Sequence, residues 1–215
     1  MKITYYGHSF FTVGLKQGFT VAMDPFDASV GYPLPDVHAQ LVLASHEHFD
    51  HNNTGLIKGR RRIIRGPGKF SFGPVEITGI PTFHDPEQGR LRGKNTVYLL
   101  KAEGVVFCHC GDLGHLLDDE QLSAVRGTDV LFVPVGGRST VDAGQAAELC
   151  RRIAPKLIVP MHYKTPCLTF ELGGLDEFLR AAGLPSRKEK HEFSISRETL
   201  PEKPVIVIPD YLGQS

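Results

Sequence analysis

The chain has no excess of charge of either sign: across 215 residues, 24 lysines and arginines are balanced by 24 aspartates and glutamates. No global field therefore draws it to nucleic acid or to an anionic membrane, and binding of a polyanion would need a local patch. No apolar run approaches the roughly 20 residues that span a bilayer. Residues 1 to 25 hold neither the cationic start nor the apolar stretch of a secretory signal. A soluble, cytoplasmic protein without membrane or nucleic-acid partners is expected. Four cysteines, Cys108, Cys110, Cys150 and Cys167, are too few and too scattered for a disulfide framework and read as buried thiols. Low-complexity segments and fixed-period repeats are missing as well. The length suits one buried core, so residues 1–215 are expected to form a single domain.

Histidine is what the chain has. Seven of its ten histidines, His8, His46, His48, His51, His84, His115 and His162, fall in short segments rich in Gly, Asp or Pro. The densest segment, Ser45-His46-Glu47-His48-Phe49-Asp50-His51, directly follows the apolar run Leu41-Val42-Leu43-Ala44. Neutral imidazole and carboxylate are the usual nitrogen and oxygen donors for zinc and its divalent neighbours. His46, His48, Asp50 and His51 cannot all reach one small ion from a regular helix or strand, so the spacing points to a turn and to two ions. A buried strand ending in ligands is how open α/β sheets place their chemistry.

Strand-like runs come early, at residues 2–6, 10–13, 19–23, 41–44, 62–65, 75–80 and 96–100, each bounded by Gly, Pro or Asp. Later runs at 105–108, 130–133 and 157–159 alternate with helices. Asp142 and Gln145 form a capping-box pattern ahead of Ala146, Leu149, Cys150 and Ile153 at helical spacing. A second helix carries Leu175, Phe178, Leu179 and Ala182 and ends at Gly183. Short closing strands are expected between Glu192 and Ile208. This succession predicts an α/β protein built as a four-layer αββα sandwich. Three further runs end in donors: the 75–80 run leads to His84, the 105–108 run to Asp112 and the 157–159 run to His162. With the first cluster they supply seven donors, about what two ions sharing one carboxylate and a water require.

The His46-x-His48-x-Asp50-His51 signature and the order of the later donors resemble the metallo-β-lactamase superfamily of hydrolases. Thr4-Tyr5-Tyr6-Gly7-His8-Ser9, Asp24-Pro25-Phe26, Gly111-Asp112 and Pro160-Met161-His162-Tyr163 are similar to the branch containing L-ascorbate 6-phosphate lactonases and many metal-dependent hydrolases. The resemblance runs from about Met1 to Thr165. It implies a metallo-β-lactamase fold in which His46, His48 and His84 hold one divalent ion, Asp50, His51 and His162 the other, and Asp112 bridges them. Zinc is the first expectation, with manganese, iron or nickel also accepted by such donors. The implied chemistry is hydrolysis by a metal-bound hydroxide, with Asp50 also handling the nucleophile's proton as the catalytic residue.

Lys164 follows His162-Tyr163, where members of the branch often carry Asn or Asp, and that departure weakens a transfer of lactonase specificity. Lys164, Arg92, Asn95, His8 and His115 are candidate substrate-binding residues, with bracing the alternative role for the two histidines. Ser45, Thr82 and Asp85 are candidates for fixing the imidazoles. The basic run Arg60-Arg61-Arg62, with Lys58 and Arg65, lacks an interleaved aromatic and reads as a solvated face. The expected function is metal-dependent hydrolysis of a small anionic ester or lactone, in a monomer or homo-oligomer. A phosphodiesterase or nuclease with the same two-metal site is the alternative, and a non-hydrolytic iron-binding redox protein a remote one.

Overall fold

The computed structural model describes residues 1–213. Its first half is a run of short strands: β1 (Lys2–Gly7), β2 (Phe10–Gly14), β3 (Thr20–Met23), β4 (Leu41–Ala44), β5 (Arg62–Arg65), β6 (Gly68–Phe72), β7 (Val75–Phe83), β8 (Lys94–Ala102) and β9 (Val105–His109). Helices then enter, with α1 (Asp119–Ala124), β10 (Val130–Pro134), α2 (Ala143–Ile153), β11 (Leu157–Met161) and α3 (Leu175–Ala182). Three strands close the chain: β12 (Ser186–Glu189), β13 (Glu192–Ser194) and β14 (Val205–Pro209).

Two sheets result. One has six strands in the order β13-β1-β2-β3-β4-β5, and the other has eight in the order β12-β14-β11-β10-β9-β8-β7-β6. Strands that read as continuous apolar runs, β4, β10 and β11, are buried along their whole length and pair in parallel with their neighbours. That agrees with the burial of parallel strands on both faces. β7 instead alternates buried and exposed positions, and its partners β6 and β8 are antiparallel. The sheets share one hydrophobic cluster. Phe11 of β2 and Phe132 of β10 meet across it with ring centroids 4.5 Å apart.

The helices are unevenly distributed. α2 opens with the Asp142 and Gln145 capping box, buries Ala146, Ala147, Leu149, Cys150 and Ile153, and packs against β10 and α3. From β1 to β5 of the six-stranded sheet, by contrast, the connections hold only single 3₁₀ turns at Ala28–Val30 and Thr54–Leu56. No helix among the described residues is long and apolar enough to cross a membrane. The loops leaving β3, β4, β7, β9 and β11 run to one place, and every candidate donor except His8, in the β1–β2 turn, sits on one of them.

Candidate metal centre

Asp112 is the hub of that place. It is 2% exposed, and His51, His84 and His162 each bring a ring nitrogen to 3.1 Å of its carboxylate, with His46 at 4.0 Å. Around it the structure assembles three overlapping donor groups: His46, His48 and His84; His46, His51 and Asp112; and His8, Asp50, His51 and His162. The seven donors named from the sequence thus come together, and His8 joins them. Glycine makes the convergence possible. A Cβ on Gly111, whose φ is +54°, would lie 2.5 Å from both Ser45 Cβ and Asn95 Oδ1, and one on Gly114 would lie 2.3 Å from the backbone of His84 and Asp85. Only residues without a side chain let the Asp112 loop thread between those neighbours.

The backbone is held in uncommon conformations here as well. His8, Asp24 and His162 all have φ near +50°, a left-handed region costly for residues with a side chain and concentrated at functional sites. The His162 N–H donates to the carbonyl of His8 at 3.0 Å and ties two of these residues together.

A carboxylate that sequence adjacency did not single out orders the imidazoles. Asp24 accepts from His51 Nδ1 at 2.8 Å, from the Ser45 N–H at 2.8 Å and from Ser45 Oγ at 2.6 Å. His51 therefore turns Nε2 toward Asp112, the arrangement by which a carboxylate fixes a metal-binding histidine. Ser45 Oγ also lies 2.9 Å from His46 Nδ1, while His84 Nδ1 donates to the Ser139 carbonyl at 2.8 Å. His109, likewise unforeseen, donates from Nε2 to the Ser9 carbonyl at 3.1 Å and lies 3.9 Å from Asp24. The signal for Asp24 was its place at the end of a strand ahead of Pro25. Nothing in the Cys108-His109-Cys110 triplet marked its histidine.

Burial and charge divide the imidazoles. Burial pushes His46 down to about 3 and His8 down to about 4. It lowers His48 too, with the neighbouring His84 acting in the same direction. His51 goes the other way, because the Asp112 and Asp50 carboxylates outweigh its burial and raise it well above the ordinary value. Burial would raise the Asp112 carboxyl, but His162 and His51 hold it well below the usual range. Asp50 is held low against its burial by the charge of the nearby His51 and by the hydrogen bond from His8, whose Nε2 lies 3.1 Å from Asp50 Oδ2.

The other candidates take different places. Lys164 presents no free ammonium to the centre: its hydrogens go to the carbonyls of Leu168 and Phe170 and to Glu171, which clamps the 168–171 loop. Asn95 is buried and works as a brace, accepting from the Asp112 N–H at 3.0 Å and donating to Thr82 Oγ1 and the Cys110 carbonyl. His115 braces too, accepting from the Phe83 N–H through Nε2. Arg92 alone among them lines the cleft over the donors, where Arg138 joins it. Thr82 touches Asn95 rather than an imidazole, and Asp85 caps its own loop. The basic run at Arg60–Arg62 does have aromatic company in space: it shares a depression with Phe19 and Phe72, and the Arg62 guanidinium lies 5.8 Å from the Phe72 ring centre. These phenylalanines are distant in sequence, which hid them. The depression lies at the start of β5, whereas the metal centre lies beyond the ends of β4 and its neighbours.

Comparison with known proteins agrees with this geometry. Residues 2–162 match the β-lactamase superfamily domain. A UPF0173 metal-dependent hydrolase of Carboxydothermus hydrogenoformans is 30% identical over 86% of this chain and 94% of its own length. One from Anoxybacillus flavithermus is 30% identical over 77% and 87%. Among solved structures, a Zn-dependent hydrolase of the metallo-β-lactamase superfamily from Thermotoga maritima superposes with a TM-score of 0.81 at 38% identity, covering 97% of this chain and 98% of that one. The chain belongs to the metallo-β-lactamase superfamily, with that superfamily's α/β sandwich fold, and stands among its metal-dependent hydrolases.

Proposed function

We propose that the chain hydrolyses a small anionic ester or lactone with the help of two divalent cations. His46, His48 and His84 would hold one, Asp50, His51 and His162 the other, and Asp112 would lie between them. The observation that carries this reading is the single buried carboxylate of Asp112 facing three imidazoles at 3.1 Å. The donor set fits cations on physical grounds: His51 Nε2 and Asp112 Oδ1 face each other at 3.1 Å, both buried, without making a hydrogen bond, a state that a shared cation relieves. Bound there, the cations supply Lewis acidity, polarising the scissile group and bringing the pKa of water toward neutrality. Zinc suits these donors best, and manganese, iron or nickel also suit them.

The protein's own groups do the rest. Asp50 stays ionised and is fixed by His8, so its carboxylate can take the proton of the attacking water and return it to the leaving group. Asp24 keeps His51 in one tautomer. Two dications held beside Asp50 and Asp112, with Asp24 behind His51, would leave surplus positive charge, and Arg92 and Arg138 outnumber Glu171 along the cleft, which favours an anionic substrate. The cleft volume of about 450 Å³ suits a small molecule. A panel of esters, lactones and bis-aryl phosphates, assayed with zinc and with manganese, tests the reading. Metal-dependent turnover highest on a lactone or ester is expected, and preferential turnover of phosphodiesters would overturn it.

A further inference from the structure

Arg92 and His48 border two clefts at once. The cleft of about 450 Å³ lies over Asp50, Asp112 and His162. The other, of about 650 Å³, extends from His46 and His48 along Ala44, Pro67, Pro81 and Phe83. Nothing in the hydrolytic chemistry uses this second space. Its walls are largely apolar, and three cations reach it: Arg65, Arg92 and Lys94. Arg65 is already engaged, donating to Asn52 Oδ1 at 3.1 Å and Thr54 Oγ1 at 3.0 Å, with Glu47 at 3.4 Å. Arg92 and Lys94 have no side-chain partner among the described residues.

The segment carrying these two cations is set in advance. The buried Asp85 carboxylate accepts the backbone N–H groups of Glu87, Gly89, Leu91 and Arg92, at 2.7 to 3.1 Å. Lys94 opens β8 in register with Phe83, whose ring lines the same cleft. An apolar wall with two unengaged cations matches an apolar group that ends in an oxyanion, and the backbone that carries the cations is already ordered before binding.

We propose that the 650 Å³ cleft seats the non-reacting part of the substrate, an apolar chain or ring ending in a carboxylate held by Arg92 and Lys94. The scissile group then lies over Asp112. A carboxylate is assigned over a phosphate because two side chains supply the recognition, without a helix N-terminus to cradle a dianion. This proposal rests on the hydrolytic reading, and its test is independent of turnover.

The test is a calorimetric titration of the zinc-loaded full chain with 4-phenylbutyrate, 4-phenylbutanol and 3-phenylpropylphosphonate, none of which carries an ester or lactone bond to hydrolyse. Wild type should bind the carboxylate on the order of twentyfold more tightly than the alcohol, with Arg92→Ala and Lys94→Ala each cutting that preference roughly fivefold, as exposed ion pairs do. The double variant should bind the two nearly equally. A carboxylate preference unchanged in all three variants would place the anion on the metals and overturn the proposal. Tighter binding of the phosphonate, the stand-in for a phosphate, would overturn the choice of carboxylate. Absence of hydrolysis on the assay panel alongside the expected titrations would instead sink the reading of function and leave the cleft's assignment standing.

Discussion

The two halves of the proposed metal centre both draw donors from the motif at residues 46–51, with His84 and His162 added from other loops, yet sit in different electrostatic surroundings. The half made by Asp50, His51 and His162 owns a carboxylate, is fully enclosed at His51 and is braced by Asp24 at 2.8 Å. The half made by His46, His48 and His84 has no carboxylate beyond the shared Asp112, and His48 is its most open member. His48 Nδ1 is braced by no carboxylate or carbonyl and faces His46 Nε2 at 3.0 Å. The enclosed half is thereby charge-matched to a cation and the open half is neutral and accessible. The first should keep its ion more firmly, and the second, which also faces the larger cleft, should exchange it more readily.

The variant that erases the contrast has the largest expected effect. Asp112→Ala removes the group both halves share, so zinc content should fall to zero and turnover should become undetectable, as read by elemental analysis beside the hydrolysis assay. Asp24→Asn should sharpen the contrast. It strips the charge behind His51 and should weaken zinc binding at the enclosed half by about 10- to 100-fold while sparing the open half. Two-site competition with a chelator reads both affinities, and equal weakening of the two would break the comparison.

Acidity separates the individual histidines. His51 is raised, so in the metal-free chain it holds a proton to higher pH than a free imidazole, and an entering cation must expel it. Zinc affinity of the enclosed half should therefore fall as pH drops, by at most about tenfold per pH unit for one displaced proton. In the open half His46, down at about 3, carries no proton to displace near neutrality, whereas His84 is raised by the shared Asp112 despite its burial. Proton release measured in a pH-indicator titration should accompany filling of the enclosed half. The smallest effect is expected from Ser45→Ala, which removes a hydroxyl behind His46 and a second bond to Asp24. Zinc affinity of the open half should fall only a few-fold, in line with loss of one buried hydrogen bond worth about 1 kcal/mol.

Much of this arrangement was legible in the sequence, because ligands at the ends of apolar strands announce themselves by residue type. The runs that became β4, β7, β9 and β11 were apolar enough to be read, and the donors following them converge. Elements without an apolar pattern were missed. α1 has a capping box of Asp118 and Gln121 but buries no residue, so no helical period appears. β12 is an edge strand of Ser186, Arg187, Lys188 and Glu189, held by pairing with β14 alone. β6 begins at Gly68 and is mostly exposed. At the site, residue type revealed the donors and could not reveal their braces. Asn95 and His115 look like groups for a substrate, yet long-range hydrogen bonds to Asp112 and Phe83 occupy them. Lys164 is similarly taken up by its own loop.

That these donors form two unequal cation sites sharing Asp112 is decided by the zinc stoichiometry of the purified chain and of His51→Ala, measured by native mass spectrometry. Two zinc ions per wild-type chain and one per His51→Ala chain, the latter without hydrolytic turnover, are expected. Full loading and full turnover of His51→Ala, or a wild-type chain that binds no metal, would contradict it.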